Sequence, residues 1–162
     1  MHYAKLSSKT THSSSIAIDS CRYLAFVILY LFQSSNKEAI FTSEFSKAVY
    51  SYFKKAPLHS ALKPIIELDF LTKNQDEIKS SGYAIDSLEA ALWCFYNTNS
   101  FEEAILKAVN LGSDADTIGA ITGQIAGAYY GIENISEELI SNLCKSDLII
   151  LTAERLIRNK GK

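Results

Sequence analysis

The sequence predicts an all-α fold, a single domain of orthogonally packed helices, and three observations carry that expectation. No window of the 162 residues sustains the apolar–polar alternation of a half-buried strand, and no Gly-rich hairpin signal appears. Apolar residues recur instead at helical spacing through most of the chain. The stretch Leu111 to Gly131, LGSDADTIGAITGQIAGAYYG, carries glycines at 119, 123 and 127. Residues four apart share a helix face, so these glycines form a groove without side chains. Each Gly costs about 1 kcal/mol against Ala in a helix interior, so another backbone or a ligand is expected close to that face.

Composition bounds the function. A chain of 162 residues fits one domain with a real core, and 48% hydrophobic with 21% charged residues is ordinary for a globular protein. The net charge of −2 leaves no general nucleic-acid footprint. Residues 1–81 carry 10 Lys+Arg against 7 Asp+Glu (+3), and residues 82–162 carry 6 against 11 (−5). An acidic second half suits a cation site, and equally a solvated acidic face. Cys21, Cys94 and Cys144 are odd in number and far apart among apolar neighbours, which predicts buried free thiols in a reducing compartment. The most apolar run, Tyr23 to Phe32, is too short to span a bilayer and too late for a signal peptide. A cytoplasmic protein with no nucleic-acid or membrane partner is expected.

The elements follow in order. The first fifteen residues, MHYAKLSSKTTHSSS, are polar and read as a loop, with Ser13 to Ser15 as candidate caps and His12 just before the helix. Ile16 to about Gln33 is apolar nearly all round after Arg22 and is expected as a central helix. Lys37 to Lys55 reads as one amphipathic helix turning Ile40, Phe41, Phe45, Val49 and Tyr52 or Phe53 inward, with Pro57 just beyond. Residues 57–80 hold a short helical pattern around Ile65 to Leu71 and a polar tail, TKNQDEIKSS, expected as a mobile loop. Asp86 or Ser87 can cap a helix through LEAALWCFYN to about Asn97, with Trp93 and Phe95 in the core and Tyr83 at the loop–helix junction. Ser100 to Glu103 is a capping box, and the helix it opens stops at Gly112. Beyond Gly131, Ser136 caps a last helix running to Asn159 with basic residues at its end.

The organising stretch opens with oxygen donors: Ser113, Asp114, Asp116 and Thr117. Asp114 and Asp116, two apart in an extended lead-in, would point the same way, with the Thr117 hydroxyl turned to the same point. This is a hard, all-oxygen half-site suited to Mg²⁺, Mn²⁺ or Ca²⁺. An EF-hand fits poorly, because counting from Asp114 places Ile125 where that loop requires Glu. The plain alternative is an N-cap followed by a small-residue packing helix.

The segment GSDADTIGAITGQIAGAYYG resembles the C-terminal signature of the ADP-ribosylglycohydrolases, the group that includes the dinitrogenase-reductase-activating glycohydrolase. GYAIDSLEAALWCF from Gly82 resembles that family's aromatic-then-helix segment, and SKTTH, Ser8 to His12, its Ser-x-x-Thr-His segment. The resemblance covers about the second half of a family member. It implies one ADP-ribosylglycohydrolase-like domain over residues 1–162 that lacks the family's N-terminal part. It implies metal ligands at Asp114, Asp116 and Thr117, for Mg²⁺ or Mn²⁺ in an incomplete site. It also implies ADP-ribose contacts at His12, Gly82, Tyr83 and Ser113, the Tyr83 ring stacking on the nucleotide. The family's Gly-Asp segment, Thr-Asp-Asp cluster and phosphate-cradling Gly-rich loop have no counterpart here, and the catalytic residue is unassigned.

The implied activity is metal-dependent hydrolysis of the N- or O-glycosidic bond between ADP-ribose and a modified acceptor. It is expected to need a missing N-terminal half, the chain being either a fragment or one part of a split enzyme whose other chain supplies the missing ligands. A non-catalytic ADP-ribose-binding or protein-interaction module is the alternative. A self-sufficient hydrolase is weaker, because two carboxylates rarely hold an ion pair that dehydrates reluctantly. An apolar patch exposed where the N-terminal half would sit predicts self-association or a partner.

Overall fold

A computed structural model describes residues 1–158. Helices supply all the regular structure of those residues, and no strand forms among them. The core is built by α2 (Ser15–Leu31), α5 (Ala84–Tyr96) and α7 (Ala115–Tyr130), which pack on one another, with α6 (Phe101–Val109) laid across α5 and α7. The most enclosed element is α5, whose residues from Ser87 to Phe95 are all buried. Its one buried acid, Glu89, accepts from Lys73 Nζ at 2.7 Å, and the Trp93 indole N–H reaches the Lys73 carbonyl at 2.9 Å. Both partners offset the desolvation that burying polar groups would otherwise cost.

The glycine face of α7 is filled by side chains, with α6 running antiparallel to it. A Cβ at Gly119 would stand 3.3 Å from Val109 Cγ1, one at Gly123 3.4 Å from Ile105 Cδ1, and one at Gly127 3.8 Å from Phe101 Cε2. Phe101, Ile105 and Val109 are themselves four apart, so a ridge of α6 lies in the groove of α7. The close neighbour is a packing helix, and the groove holds no room for a ligand.

Four boundaries differ from the sequence reading. The first residues are not a loop: His2–Lys9 form α1, which packs on α2 and buries Ser8. Lys37 to Lys55 is not one helix but a 3-10 turn, Lys37–Phe41, followed by α3, Ser43–Tyr52. Thr42 divides them, adopting an extended backbone and accepting the Phe45 N–H at 3.2 Å as the cap of α3. Lys37 is drawn inward, its amine donating to the carbonyls of Phe95, Tyr96 and Thr98 at the end of α5. Between α3 and α5 lie the single-turn α4 (Lys63–Ile66) and 3-10 turns at Asp69–Thr72 and Gln75–Glu77. The last of these sits in the polar tail, closed by an Asn74–Glu77 capping box.

At the C-terminal end, the single predicted helix divides into α8 (Glu137–Asn142) and α9 (Ser146–Arg158). Lys145 breaks it with a left-handed φ of 62°. Asn159, the predicted end, lies outside the described residues. Among the thiols only Cys94 is buried, whereas Cys21 and Cys144 are exposed. Cys21 sits on an outward face of α2, and Cys144 in the exposed α8–α9 junction. No helix of the described residues is long and apolar enough to cross a membrane.

Candidate functional site

The chain makes a sharp corner between α6 and α7. Gly112 and Ser113 both take positive φ, 74° and 53°, and Ser113 is a residue type that seldom does so. Strain of this kind is retained where surrounding bonds fix the backbone. Here the Asp114 N–H donates to the Ser80 carbonyl at 3.0 Å, and the Ser80 hydroxyl to the Leu111 carbonyl at 3.3 Å. The loop 80–83 is held in turn on α5: Ser81 Oγ donates to Asp86 at 2.6 Å and Ser87 Oγ donates to the Ser81 carbonyl at 2.9 Å. Asp86 and Ser87 therefore fasten this loop, and Tyr83 is the capping position of α5 in place of either.

These bonds press Gly82 against Asp114. A Cβ at position 82 would lie 3.0 Å from Asp114 Oδ2, closer than ordinary contact allows. Asp114 precedes the first helical residue of α7, yet its carboxylate makes no capping hydrogen bond. It is half-buried, and every other carboxylate without a hydrogen-bond partner among the described residues is exposed. Asp116 does not lie in an extended segment beside it. It is in the first turn of α7, exposed, and accepts the Thr117 N–H at 2.9 Å. Both carboxylates sit at the positive end of the helix dipole, which favours negative charge there.

Beside this corner lies a cleft of about 490 Å³ between α1, α2, the start of α5 and α7. Four of the residues singled out by sequence line it: His12, Gly82, Tyr83 and Thr117. Ser113, Asp114 and Asp116 do not line it, although they flank Thr117 at the mouth. Tyr83 offers a half-exposed ring at the rim. His12 is exposed, and its Nδ1 lies 2.8 Å from Thr11 Oγ1, which leaves Nε2 for a ligand.

Sequence reasoning passed over several lining residues, among them Ser20, Cys21 and Gln124. Gln124 was legible: Thr117, Ile121 and Gln124 recur at i, i+4 and i+7, so one face of α7 looks into the cleft. The Ser8 and Ser20 hydroxyls are buried without hydrogen-bond partners. Ser8 was legible only as the first residue of the SKTTH segment, because the polar composition concealed the helix that it lies on. A separate groove of about 510 Å³ between α3 and α4 contains none of the candidate metal- or ligand-binding residues.

The oxygen set at the start of α7 fits a hard divalent cation in kind: two carboxylates and one hydroxyl. No group of three His, Cys, Asp or Glu converges among the described residues. Asp114, Asp116 and Thr117 could supply one side of a cation site.

Comparison with known proteins bears on what the corner and cleft serve. The family model described as ADP-ribosylglycohydrolase matches residues 1–162. The chain is 40% identical over 149 residues to ADP-ribosylarginine hydrolase Tri1 of Serratia proteamaculans (strain 568), covering 92% of this chain and 38% of that protein. It is 35% identical over 153 residues to the protein of the same name from Pseudomonas putida (strain GB-1), with 92% and 38% covered. A solved structure titled ADP-ribosylglycohydrolase-related protein complex superposes with a TM-score of 0.73 at 35% identity, over 88% of this chain and 47% of that one. The chain thus spans less than half the length of these relatives.

Proposed function

The chain belongs to the ADP-ribosylglycohydrolase family, and from that premise we propose that its cleft binds ADP-ribose as part of a hydrolase that cleaves the glycosidic bond between ADP-ribose and a modified acceptor. The observation that carries the reading is Asp114. It is a half-buried carboxylate without a structural partner, held against Gly82 at the mouth of a cleft that also gathers His12, Tyr83 and Thr117. The names of the two bacterial relatives support arginine as the acceptor, which makes the bond an N-glycosidic one.

The chain's own residues bind and orient in this reading. The Tyr83 ring stacks on a flat heterocycle of the ligand at the rim. Thr117, Gln124 and Nε2 of His12 offer hydrogen bonds to ribose hydroxyls, and Ile121, Leu24 and Leu88 keep the floor apolar. Asp114, Asp116 and Thr117 would hold one side of a Mg²⁺ or Mn²⁺ ion, which when bound lowers the pKa of water and orients hydroxyls. Hydrolysis then requires the further ligands that the rest of the family fold would provide, whether joined to this chain or carried by another.

The shortfall in cation ligands also favours a second reading, an ADP-ribose-binding module without turnover of its own. Calorimetric titration of ADP-ribose with and without Mg²⁺, on the wild type and on Asp116→Ala and Asp114→Asn, tests both. Metal-enhanced binding that either substitution abolishes is expected. Hydrolysis of ADP-ribosylarginine in the same samples separates the enzyme from the module. Absence of binding under every condition would overturn both readings for this chain.

A further inference from the structure

One hydroxyl ties the rim of the cleft to an acid that lies off it. Ser81 Oγ accepts the Tyr83 N–H at 3.2 Å and donates to Asp86 Oδ2 at 2.6 Å. Tyr83 is the N-cap of α5, and Asp86 stands three residues later, where a capping box carries the side chain that accepts the N-cap N–H. Aspartate is shorter than the Glu or Gln usual at that position, and the serine hydroxyl bridges the gap. A length of 2.6 Å is that of a hydroxyl donating to an ionised carboxylate, a bond roughly twice as strong as a neutral one. The Ser81 carbonyl is taken as well, by Ser87 Oγ at 2.9 Å. Ser81 is thus fastened to α5 at both its hydroxyl and its carbonyl.

Its neighbour Ser80 reaches the other way. The Ser80 carbonyl accepts the Asp114 N–H at 3.0 Å, and the Ser80 hydroxyl donates to the Leu111 carbonyl at 3.3 Å. These bonds fall on either side of Gly112 and Ser113, the positive-φ pair, so Ser80 pins both ends of the strained corner. On the other side of Ser81, a Cβ at Gly82 would lie 3.0 Å from Asp114 Oδ2, so the loop also bounds the space of that carboxylate. Gly82 and Tyr83 line the cleft, whereas Asp86 does not. A plain helix cap would need only the bond to the Tyr83 N–H. Here the capping hydroxyl is itself anchored by a carboxylate, and the loop it anchors runs on to the corner that carries Asp114.

We propose that Asp86 is a positioning residue of the site: through the Ser81 hydroxyl it fixes the 80–83 loop, and through that loop it holds Tyr83 at the rim and Asp114 at the corner in register with each other. Its consequence for ligand rests on the ADP-ribose reading of the cleft, and its consequence for the corner does not.

Amide hydrogen exchange followed by NMR on the full chain tests the corner. In Asp86→Ala the Asp114 N–H, which Asp86 does not touch, should exchange about tenfold faster, the order set by losing a hydrogen bond to a charged group. Amides from Leu88 to Phe95, in the buried stretch of α5, should keep their wild-type rates. Ser81→Ala should give the same pattern, and the double variant should be no worse than Ser81→Ala, because the two side chains share one bond. Asp86→Asn, whose Oδ1 still accepts from Ser81, should keep more of the protection than Asp86→Ala. Calorimetric titration with ADP-ribose and Mg²⁺ tests the ligand consequence: Asp86→Ala should weaken binding about tenfold, and Asp86→Asn by less.

Wild-type exchange at Asp114 in Asp86→Ala would overturn the proposal. So would a loss of protection shared equally by Leu88 to Phe95, the mark of a cap that only stabilises α5, or an unchanged ADP-ribose affinity in a variant whose corner has loosened. A wild type that binds no ADP-ribose would instead remove the reading of the cleft, and exchange at Asp114 would still decide whether Asp86 fixes the corner.

Discussion

Gly127→Ala separates a packing role for the glycine face of α7 from a ligand role. Gly in a helix interior costs about 0.8–1.0 kcal/mol against Ala, chiefly through backbone entropy. The added methyl at 127 would meet Phe101 Cε2 at 3.8 Å, an ordinary contact that subtracts nothing from that gain. The variant should therefore be more stable by about 1 kcal/mol, a rise in Tm of about 2–4 °C for a chain of this size. Gly123→Ala and Gly119→Ala should gain successively less, because their methyls approach Ile105 at 3.4 Å and Val109 at 3.3 Å and those side chains must yield. Thermal unfolding followed by circular dichroism, with urea midpoints as a second measure, gives the ranking. Titration with ADP-ribose should give the affinity of the wild type, since α6 already covers this face. A destabilised Gly127→Ala, or one that loses ligand, would refute the assignment of the groove to α6.

Other outcomes follow from single contacts. Tyr83→Ala removes a half-exposed ring and should leave stability within about 0.5 kcal/mol of the wild type. In calorimetry it should weaken ADP-ribose about tenfold, the loss of one stacked base at roughly 1–3 kcal/mol. Arg22→Ala should cost about 3 kcal/mol in urea unfolding. Arg22 holds Asp19 at 2.7 Å, both side chains are nearly buried, and the substitution removes the only counter-charge of a carboxylate left with the His59 N–H alone. Burial pushes the Cys94 thiol from its ordinary 9.0 up to about 12. The folded state therefore keeps a proton that the unfolded state loses between those values. This contribution is intact below pH 9.0 and falls as pH rises toward about 12, by at most about 1.4 kcal/mol per unit. Urea midpoints measured from neutral to alkaline pH should show that slope, and Cys94→Ala should reduce it.

What the sequence made legible depended on whether one local signal governed the element. Ser100 caps α6 as read, with the Glu103 N–H on Ser100 Oγ at 3.1 Å, but the Glu103 carboxylate accepts the Asn99 N–H at 2.8 Å, so the box does not close on Ser100 itself. The apolar run of α5 and the residues Trp93 and Phe95 are buried as composition implied. Where tertiary contact decided, pattern failed. The break at Thr42 follows from Lys37 turning inward to the end of α5, a contact some sixty residues away in sequence that no local window contains. Helix α1 was hidden because its polar residues form a helix only by leaning on α2. The division at Lys145 is likewise a backbone choice that residue type disfavours.

One physical feature separates Asp114 from the other acids. Most of the other carboxylates that are not fully exposed already have structural work: Asp19 with Arg22 and the His59 N–H, Glu89 with Lys73, Asp86 with Ser81, Glu102 with the Ser136 N–H. Such pairs explain why an acid is tolerated there, and once explained the acid predicts no chemistry. Asp114 has the matching partial burial without a partner among the described residues, and a neighbouring glycine that leaves space against its oxygen. Partial desolvation of an anion with no compensating bond is unfavourable for the chain alone. A cation or a ligand hydroxyl would supply that bond. The same logic applies to Ser8 and Ser20, whose unpartnered hydroxyls lie along the cleft wall. An open cleft along one side of α7 and filled glycines along the other give a single helix two different faces: α6 fills the glycine face, and Thr117, Ile121 and Gln124 line the cleft.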